Sequence, residues 1–178
     1  MHKSPVIWLT GMSGSGKSTL ANCLQSNLKT KGYKGIIIDG DSVRDLDKKK
    51  LGFGIDDVLL NNTRIALLSE EKRREYDFIL IPVISPYESV RKKIRKILEP
   101  NLHLIYLKTD IDTLKERDTK GLYAASDRGE LKTLIGYSDV NPYNEPVTPE
   151  LTVLTSSDKS ISCSLSSILN YLDNKVFF

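Results

Sequence analysis

Short, wholly apolar runs alternate along this chain with longer segments whose apolar residues recur every three or four positions. The first run, Val6-Ile7-Trp8-Leu9, contains no polar residue, the pattern of a strand covered on both faces. It ends in glycines and serines. Beyond Lys17, Leu20, Leu24 and Leu28 fall four apart and mark one face of a helix, which Lys31-Gly32 closes with a basic last turn and a glycine terminator. Gly35-Ile36-Ile37-Ile38 then predicts a second buried strand, ending in Asp39-Gly40-Asp41.

Residues 42–54 are polar and glycine-punctuated, with acidic and basic residues clustered from Arg44 to Lys50, and predict a loop or short helix over a site. The pattern turns helical from Asp56 to Tyr76, is strand-like from Phe78 to Ile84, and is helical again from Tyr87 to Leu98. That last helix carries Val90, Ile94, Ile97 and Leu98 on one face, and its many basic residues read mainly as solvated surface. A fourth strand, Leu102 to Leu107, precedes a helix from about Asp110 to Arg117. Residues 118–150 show no sustained period, which in a compact domain predicts a functional loop or lid. A fifth strand, Leu151 to Leu154, leads to a closing helix in which Ile161, Leu165, Ile168, Leu169 and Leu172 keep helical spacing despite the many serines.

Repeated strand–helix alternation predicts an α/β fold with a mainly parallel five-stranded sheet and helices on both faces. Ligands of such folds bind beyond the carboxyl ends of the strands. With 178 residues and 39% apolar content, the chain is expected to form one domain over 1–178 with its own core. Charge adds little, because 26 Lys plus Arg against 23 Asp plus Glu leaves a net +3, too small to argue for nucleic acid or membrane partners. The longest apolar run, Phe78 to Ile84, falls far short of the roughly 18 residues of a membrane helix. The four apolar residues before Thr10 are too few for the core of a secretory leader, so the expected compartment is the cytoplasm. Cys23 and Cys163 belong to no metal or redox motif and read as small buried thiols.

Chemistry enters with Gly11-Met12-Ser13-Gly14-Ser15-Gly16-Lys17-Ser18, which matches G-x-x-x-x-G-K-[ST] between a predicted strand and a predicted helix. Glycines there let successive amide hydrogens turn inward around phosphate oxygens, and the following helix presents its positive end. ATP phosphates are expected on Gly11, Ser13, Gly14, Ser15, Gly16, Lys17, Ser18 and Thr19, with Lys17 bridging the terminal phosphates and Ser18 ligating Mg2+. A GTPase would need Asn-Lys-x-Asp, and the only Asn-Lys is Asn174-Lys175-Val176-Phe177. Asp118-Thr119-Lys120-Gly121 fits D-x-x-G but follows a helix instead of a strand. Transport and motor ATPases are normally larger, which leaves a small kinase. Asp41, at the end of the second strand, can orient or deprotonate an acceptor hydroxyl, and Arg44 can grip an acidic substrate. Arg64 and Arg91 are further candidates for gripping an anion, and Tyr123, Tyr137 and Tyr143 could either contact a nucleotide or pack a lid.

Taken together, the run Ile7 to Thr19, Asp39-Gly40-Asp41-Ser42-Val43-Arg44, Ile84-Ser85-Pro86-Tyr87 with Arg91, and Glu116-Arg117-Asp118-Thr119-Lys120-Gly121-Leu122-Tyr123 resemble the adenylylsulfate kinase family, a group of P-loop kinases. Order and spacing agree from about Val6 to Leu154. The resemblance implies transfer of the ATP γ-phosphate to the ribose 3'-hydroxyl of adenosine 5'-phosphosulfate. It implies Asp41 as the catalytic carboxylate, Arg44 on the phosphosulfate and Phe53 stacked on the adenine. Asn61, Ser85 and Lys132 fall at further acceptor positions, and Arg117 with the segment through Tyr123 at a lid over ATP. A small-molecule nucleotide is the expected partner, and a homodimer is compatible with the chain.

Departures gather on the acceptor side. Where the family reads Asp-Arg-x-x-Asn-Ile-Arg-Arg, this chain has Asp57-Val58-Leu59-Leu60-Asn61-Asn62-Thr63-Arg64, so Val58 and Thr63 each replace an arginine. Where the family reads Lys-Gly-Phe-Thr-Gly, Lys132-Thr133-Leu134-Ile135-Gly136 stands, and about two extra residues follow before Pro142-Tyr143. Two alternatives therefore stay open: a sister kinase acting on another nucleotide conjugate, such as a cytidine diphosphate derivative, and a non-catalytic ATP-binding module.

Overall fold

The computed structural model describes residues 3–45 and 51–177, and the part of the Arg44–Lys50 charge cluster beyond residue 45 lies outside them. Five strands form one parallel sheet: β1 (Val6–Thr10), β2 (Gly35–Ile37), β3 (Phe78–Pro82), β4 (Leu102–Lys108) and β5 (Leu151–Leu154), in the order β2-β3-β1-β4-β5. The helices between them are α1 (Lys17–Thr30), α2 (Gly40–Arg44), α3 (Ile55–Lys72), α4 (Glu88–Leu98), α5 (Ile111–Glu116), α6 (Leu122–Asp127) and α7 (Ile161–Lys175).

Alternate residues of the apolar strands feed two cores. Val6 and Trp8 of β1 join Ile79 and Ile81 of β3 against Ile65 and Ala66 of α3 and Val90, Ile94 and Leu98 of α4. Ile7 and Leu9 point the other way, joining Leu80 and Ile105 against Leu20, Leu24 and Leu28 of α1 and Ile168 and Leu172 of α7. The predicted helical spacings thus lie on the faces that meet the sheet. β1 is central, with β3 on one side and β4 on the other, so the crevice beyond its carboxyl end lies where the strand order reverses.

Several expectations need correction. β2 is half-buried along its whole length, because it is the sheet's edge and pairs with β3 alone. β3 ends at Pro82, which has no N–H to continue the ladder, instead of at Ile84. The short helix expected after β2 is α2, which starts at Gly40, two residues ahead of the expected segment, and the lid contains α6. Neither cysteine is buried: Cys23 is half-buried and Cys163 exposed, since both fall on the outer faces of α1 and α7.

Gly35 starts β2 because nothing larger fits. A Cβ there would lie 1.9 Å from Cζ of Phe78, whose ring is fully buried and meets Phe177 edge-on at 6.2 Å. Gly35→Ala should overpack that contact at a cost of about 2 kcal/mol. Thermal unfolding is expected to show a Tm lower by about 6 °C. An unchanged Tm would mean that the Phe78 ring yields freely.

Candidate active site

The loop joining β1 to α1 closes around its own lysine. Gly16 caps α1 with φ 92°, a left-handed conformation that side chains rarely adopt, and Gly11 lies so close to β4 that a Cβ would sit 2.7 Å from the Leu107 carbonyl. Nζ of Lys17 donates to the carbonyls of Gly11 at 2.9 Å and Met12 at 2.7 Å. Burial is the main reason its pKa is lowered to about 7; the Lys120 charge adds to this and the Asp41 carboxylate opposes it. From about pH 7 up to the ordinary lysine range the unfolded chain holds a proton that the folded chain has released, so stability from this group rises with pH across that window.

A cavity of about 380 Å³ opens beside this loop, lined by Ser13, Gly14, Gly16, Lys17, Ser18 and Thr19 at one end and by residues of α2, α3 and the β3–α4 segment at the other. α2 separates the roles of its two aspartates. Asp39 is the N-cap, its carboxylate accepting from the amides of Asp41 at 2.9 Å and Ser42 at 3.1 Å. Asp41, in the first turn, is exposed to the cavity and close enough to act on Lys17. Arg44 donates to the Gly52 carbonyl at 2.5 Å and lays its guanidinium 4.8 Å from the centre of the Phe53 ring, making one wall of charge and aromatic surface. Asn61 donates to the Gly40 carbonyl at 3.2 Å, tying α3 to α2. Ser85 is fully buried with φ 46°, an uncommon conformation for a side-chain-bearing residue, and its Oγ has no partner among the described residues.

The lid is packed onto the phosphate loop. Arg117, in the cavity lining, donates to the carbonyls of Thr155 at 2.7 Å and Ser156 at 3.0 Å, which ties the lid's base to the segment after β5. Asp118 caps α6 by accepting from the amides of Leu122 and Ala124, and Gly121 has φ 65°, so the D-x-x-G match is a helix start. Tyr123 is buried with Leu114 and Leu134 and donates to the Ser13 carbonyl at 2.7 Å. Tyr137 bonds to Asp127 and meets Tyr123 edge-on. Tyr143 stacks on Tyr106, bonds to Thr10 Oγ1 at 2.9 Å and has its pKa raised to about 12 by burial. All three tyrosines pack the lid, and Tyr123 also borders the cavity. The extra residues after Gly136 form a loop closed by a 2.7 Å bond from its amide to the Asn141 carbonyl.

Of the residues singled out from sequence, Asp41, Arg44, Phe53, Asn61, Ser85, Ser13, Gly14, Gly16, Lys17, Ser18, Thr19 and Arg117 share this one lining, while Gly11, Ser15, Arg64 and Lys132 stand outside it. Arg91 is not a free cation. It is buried, pairs with Glu88 at 2.7 Å, and donates to the carbonyls of Ser85 at 2.7 Å and Asn144 at 2.6 Å, so it holds the backbone under the site. Leu134 belongs to the lid core, whereas its neighbour Ile135 lines the cavity. Sequence reasoning passed over Asn62, Val83 and Ile135 as lining residues. Asn62 alone carried a usable signal, a polar residue on the inward stripe of Val58, Ile65 and Ala66.

Among the described residues no cluster of three or more His, Cys, Asp or Glu could hold a metal, and no helix is long and apolar enough to cross a membrane. The Ser18 hydroxyl, exposed in the cavity with Asp39 and Asp41 on the same lining, is a hard oxygen donor of the kind that Mg2+ uses when phosphates complete its shell. The residues present therefore fit a metal that arrives with a nucleotide.

A phosphate loop at the reversal point of a parallel sheet, under a lid, defines a P-loop nucleotide-binding kinase fold. The adenylylsulphate kinase family model matches residues 3–154, and the chain belongs to that family. It is 38% identical over 175 residues to the adenylyl-sulfate kinase of Bacillus pumilus, covering 98% of this chain and 87% of that one. It is 42% identical over 155 residues to that of Prochlorococcus marinus, covering 86% and 76%. A Mycobacterium tuberculosis APS kinase, solved in complex with AMPPNP and APS, superposes with TM-score 0.83 at 28% identity, over 97% of this chain and 99% of that one.

Proposed function

We propose that this chain transfers the γ-phosphate of ATP to the ribose 3'-hydroxyl of adenosine 5'-phosphosulfate. The observation that carries the reading is that Asp41 and Lys17 face a single cavity, with the phosphate loop at one end and the Arg44–Phe53 wall at the other. In this reading the amides of residues 11–19 hold the ATP phosphates, and Lys17 and Arg117 stabilise the charge that spreads over the transferred group. Mg2+, held by Ser18 together with the phosphates, would neutralise part of that charge. Asp41 accepts or orients the hydroxyl proton, Arg44 meets the phosphosulfate, Phe53 stacks on the base, and Asn61 and Ser85 supply hydrogen bonds. Lys132 enters on the family resemblance alone, and Arg64 as an arginine suited to an anionic acceptor. The docked lid serves to exclude water, which favours transfer to the hydroxyl over hydrolysis. A cytoplasmic location and a homodimer belong to the same proposal; Leu60 and Leu67, exposed and seven apart on α3, support assembly through that helix.

A second reading, phosphorylation of a different nucleotide conjugate, is favoured by one observation: Val58, in place of the family's arginine, lies in the lining itself. A coupled assay separates the two. ADP release should depend on adenylylsulfate; release at background with it and above background with another nucleotide conjugate would select the second.

A further inference from the structure

Among the described residues, three buried side-chain oxygens on the cavity lining have no partner: Asn61 Oδ1, Asn62 Oδ1 and Ser85 Oγ. The family resemblance already gives acceptor roles to Asn61 and Ser85 but none to Asn62. Asn62 is 1% exposed and stands one helical turn beyond Val58, so the two share a face of α3. Compared with the family string, polarity has moved along that face: an arginine position has become Val58, and an isoleucine position has become Asn62. The amide of Asn61 is oriented by its bond to Gly40, whereas the Asn62 side chain makes no hydrogen bond among the described residues. An interior amide without a partner is costly, and natural interiors contain few of them.

We propose that Asn62 is a specificity-determining residue that hydrogen-bonds an uncharged polar group of the acceptor nucleotide, a base edge or a sugar hydroxyl. The proposal rests on reading the Asp41 end of the cavity as the acceptor end. The surroundings select an uncharged group. Val58, Val83 and Ile135 are apolar parts of the lining, and among the described residues Arg44 is the one lining cation from the α2–α3 side. An anion brought against Asn62 would lose water beside the apolar Val58, at a cost that an uncharged polar group largely avoids. An amide both donates and accepts, and no internal bond fixes which end of Asn62 faces the ligand, so it suits the paired donors and acceptors of a base edge or a hydroxyl.

The test is steady-state kinetics of the wild type, Asn62→Leu and Asn62→Ser; the serine variant serves if the leucine variant fails to fold. The KM for adenylylsulfate is expected to rise about tenfold in either variant, with the KM for ATP within about twofold. Two acceptor analogues locate the partner, one with hypoxanthine in place of adenine and one lacking the ribose 2'-hydroxyl. Against the analogue that lacks the group Asn62 touches, wild type and variant should agree within about twofold. An unchanged acceptor KM in the variants, or the same rise with adenylylsulfate and both analogues, overturns the proposal. A wild-type enzyme that leaves adenylylsulfate untouched defeats the functional reading instead. The same comparison on the nucleotide conjugate it does accept then decides the role of Asn62.

Discussion

Asp41→Asn is expected to lower the rate of phosphoryl transfer by about 10³-fold while leaving ATP affinity within about twofold. The carboxamide keeps the shape of the side chain but cannot take a proton from the acceptor. The α2 cap survives because Asp39, not Asp41, makes it. ATP affinity is spared because the phosphate loop is built from residues 11–19 and the lid, none of which leans on the Asp41 side chain by a hydrogen bond. Single-turnover measurements with saturating ATP separate chemistry from binding. Unchanged turnover would remove Asp41 from the catalytic role. A large loss of Mg-ATP affinity would recast it as a metal ligand.

Lys17→Met should be almost as damaging, with transfer down by about 10²- to 10³-fold. It removes the one buried cation of the phosphate loop, whose ammonium now rests on the Gly11 and Met12 carbonyls and must exchange them for phosphate oxygens. A distinct signature accompanies it. With its pKa lowered to about 7, Lys17 is mostly neutral at pH 8 in the free protein. Bringing phosphates against it favours the charged form, so ATP binding at pH 8 should draw in close to one proton. Calorimetry in buffers of different ionisation enthalpy reads this directly. The uptake should shrink toward pH 6, where the amine is already charged, and vanish in Lys17→Met. Equal uptake in wild type and variant would assign the proton elsewhere.

The phosphate loop was legible because its chemistry is spelled in eight consecutive residues, and the two cores because strand alternation and helical spacing are local patterns. What stayed hidden depended on partners distant in sequence. Arg91 reads from sequence as a candidate for gripping an anion, whereas its guanidinium donates to the carbonyl of Asn144, 53 positions away. Tyr123 could equally have faced a nucleotide; its bond to Ser13 spans 110 positions. β2 reads as buried from its isoleucines, but an edge position is a property of strand order. The division between Asp39 and Asp41 turns on where α2 begins, a boundary of one residue that periodicity does not resolve. Asn62 was passed over because a lone amide on a core stripe gains meaning only when its missing partner is known.

The central claim, phosphoryl transfer to the 3'-hydroxyl of adenylylsulfate, is most directly tested by identifying the product formed from ATP, Mg2+ and adenylylsulfate, using mass spectrometry and phosphorus NMR. A single new phosphate on the ribose 3'-oxygen, formed one for one with ADP and absent with Asp41→Asn, is the predicted result. ADP released with inorganic phosphate while adenylylsulfate is recovered unchanged would contradict it.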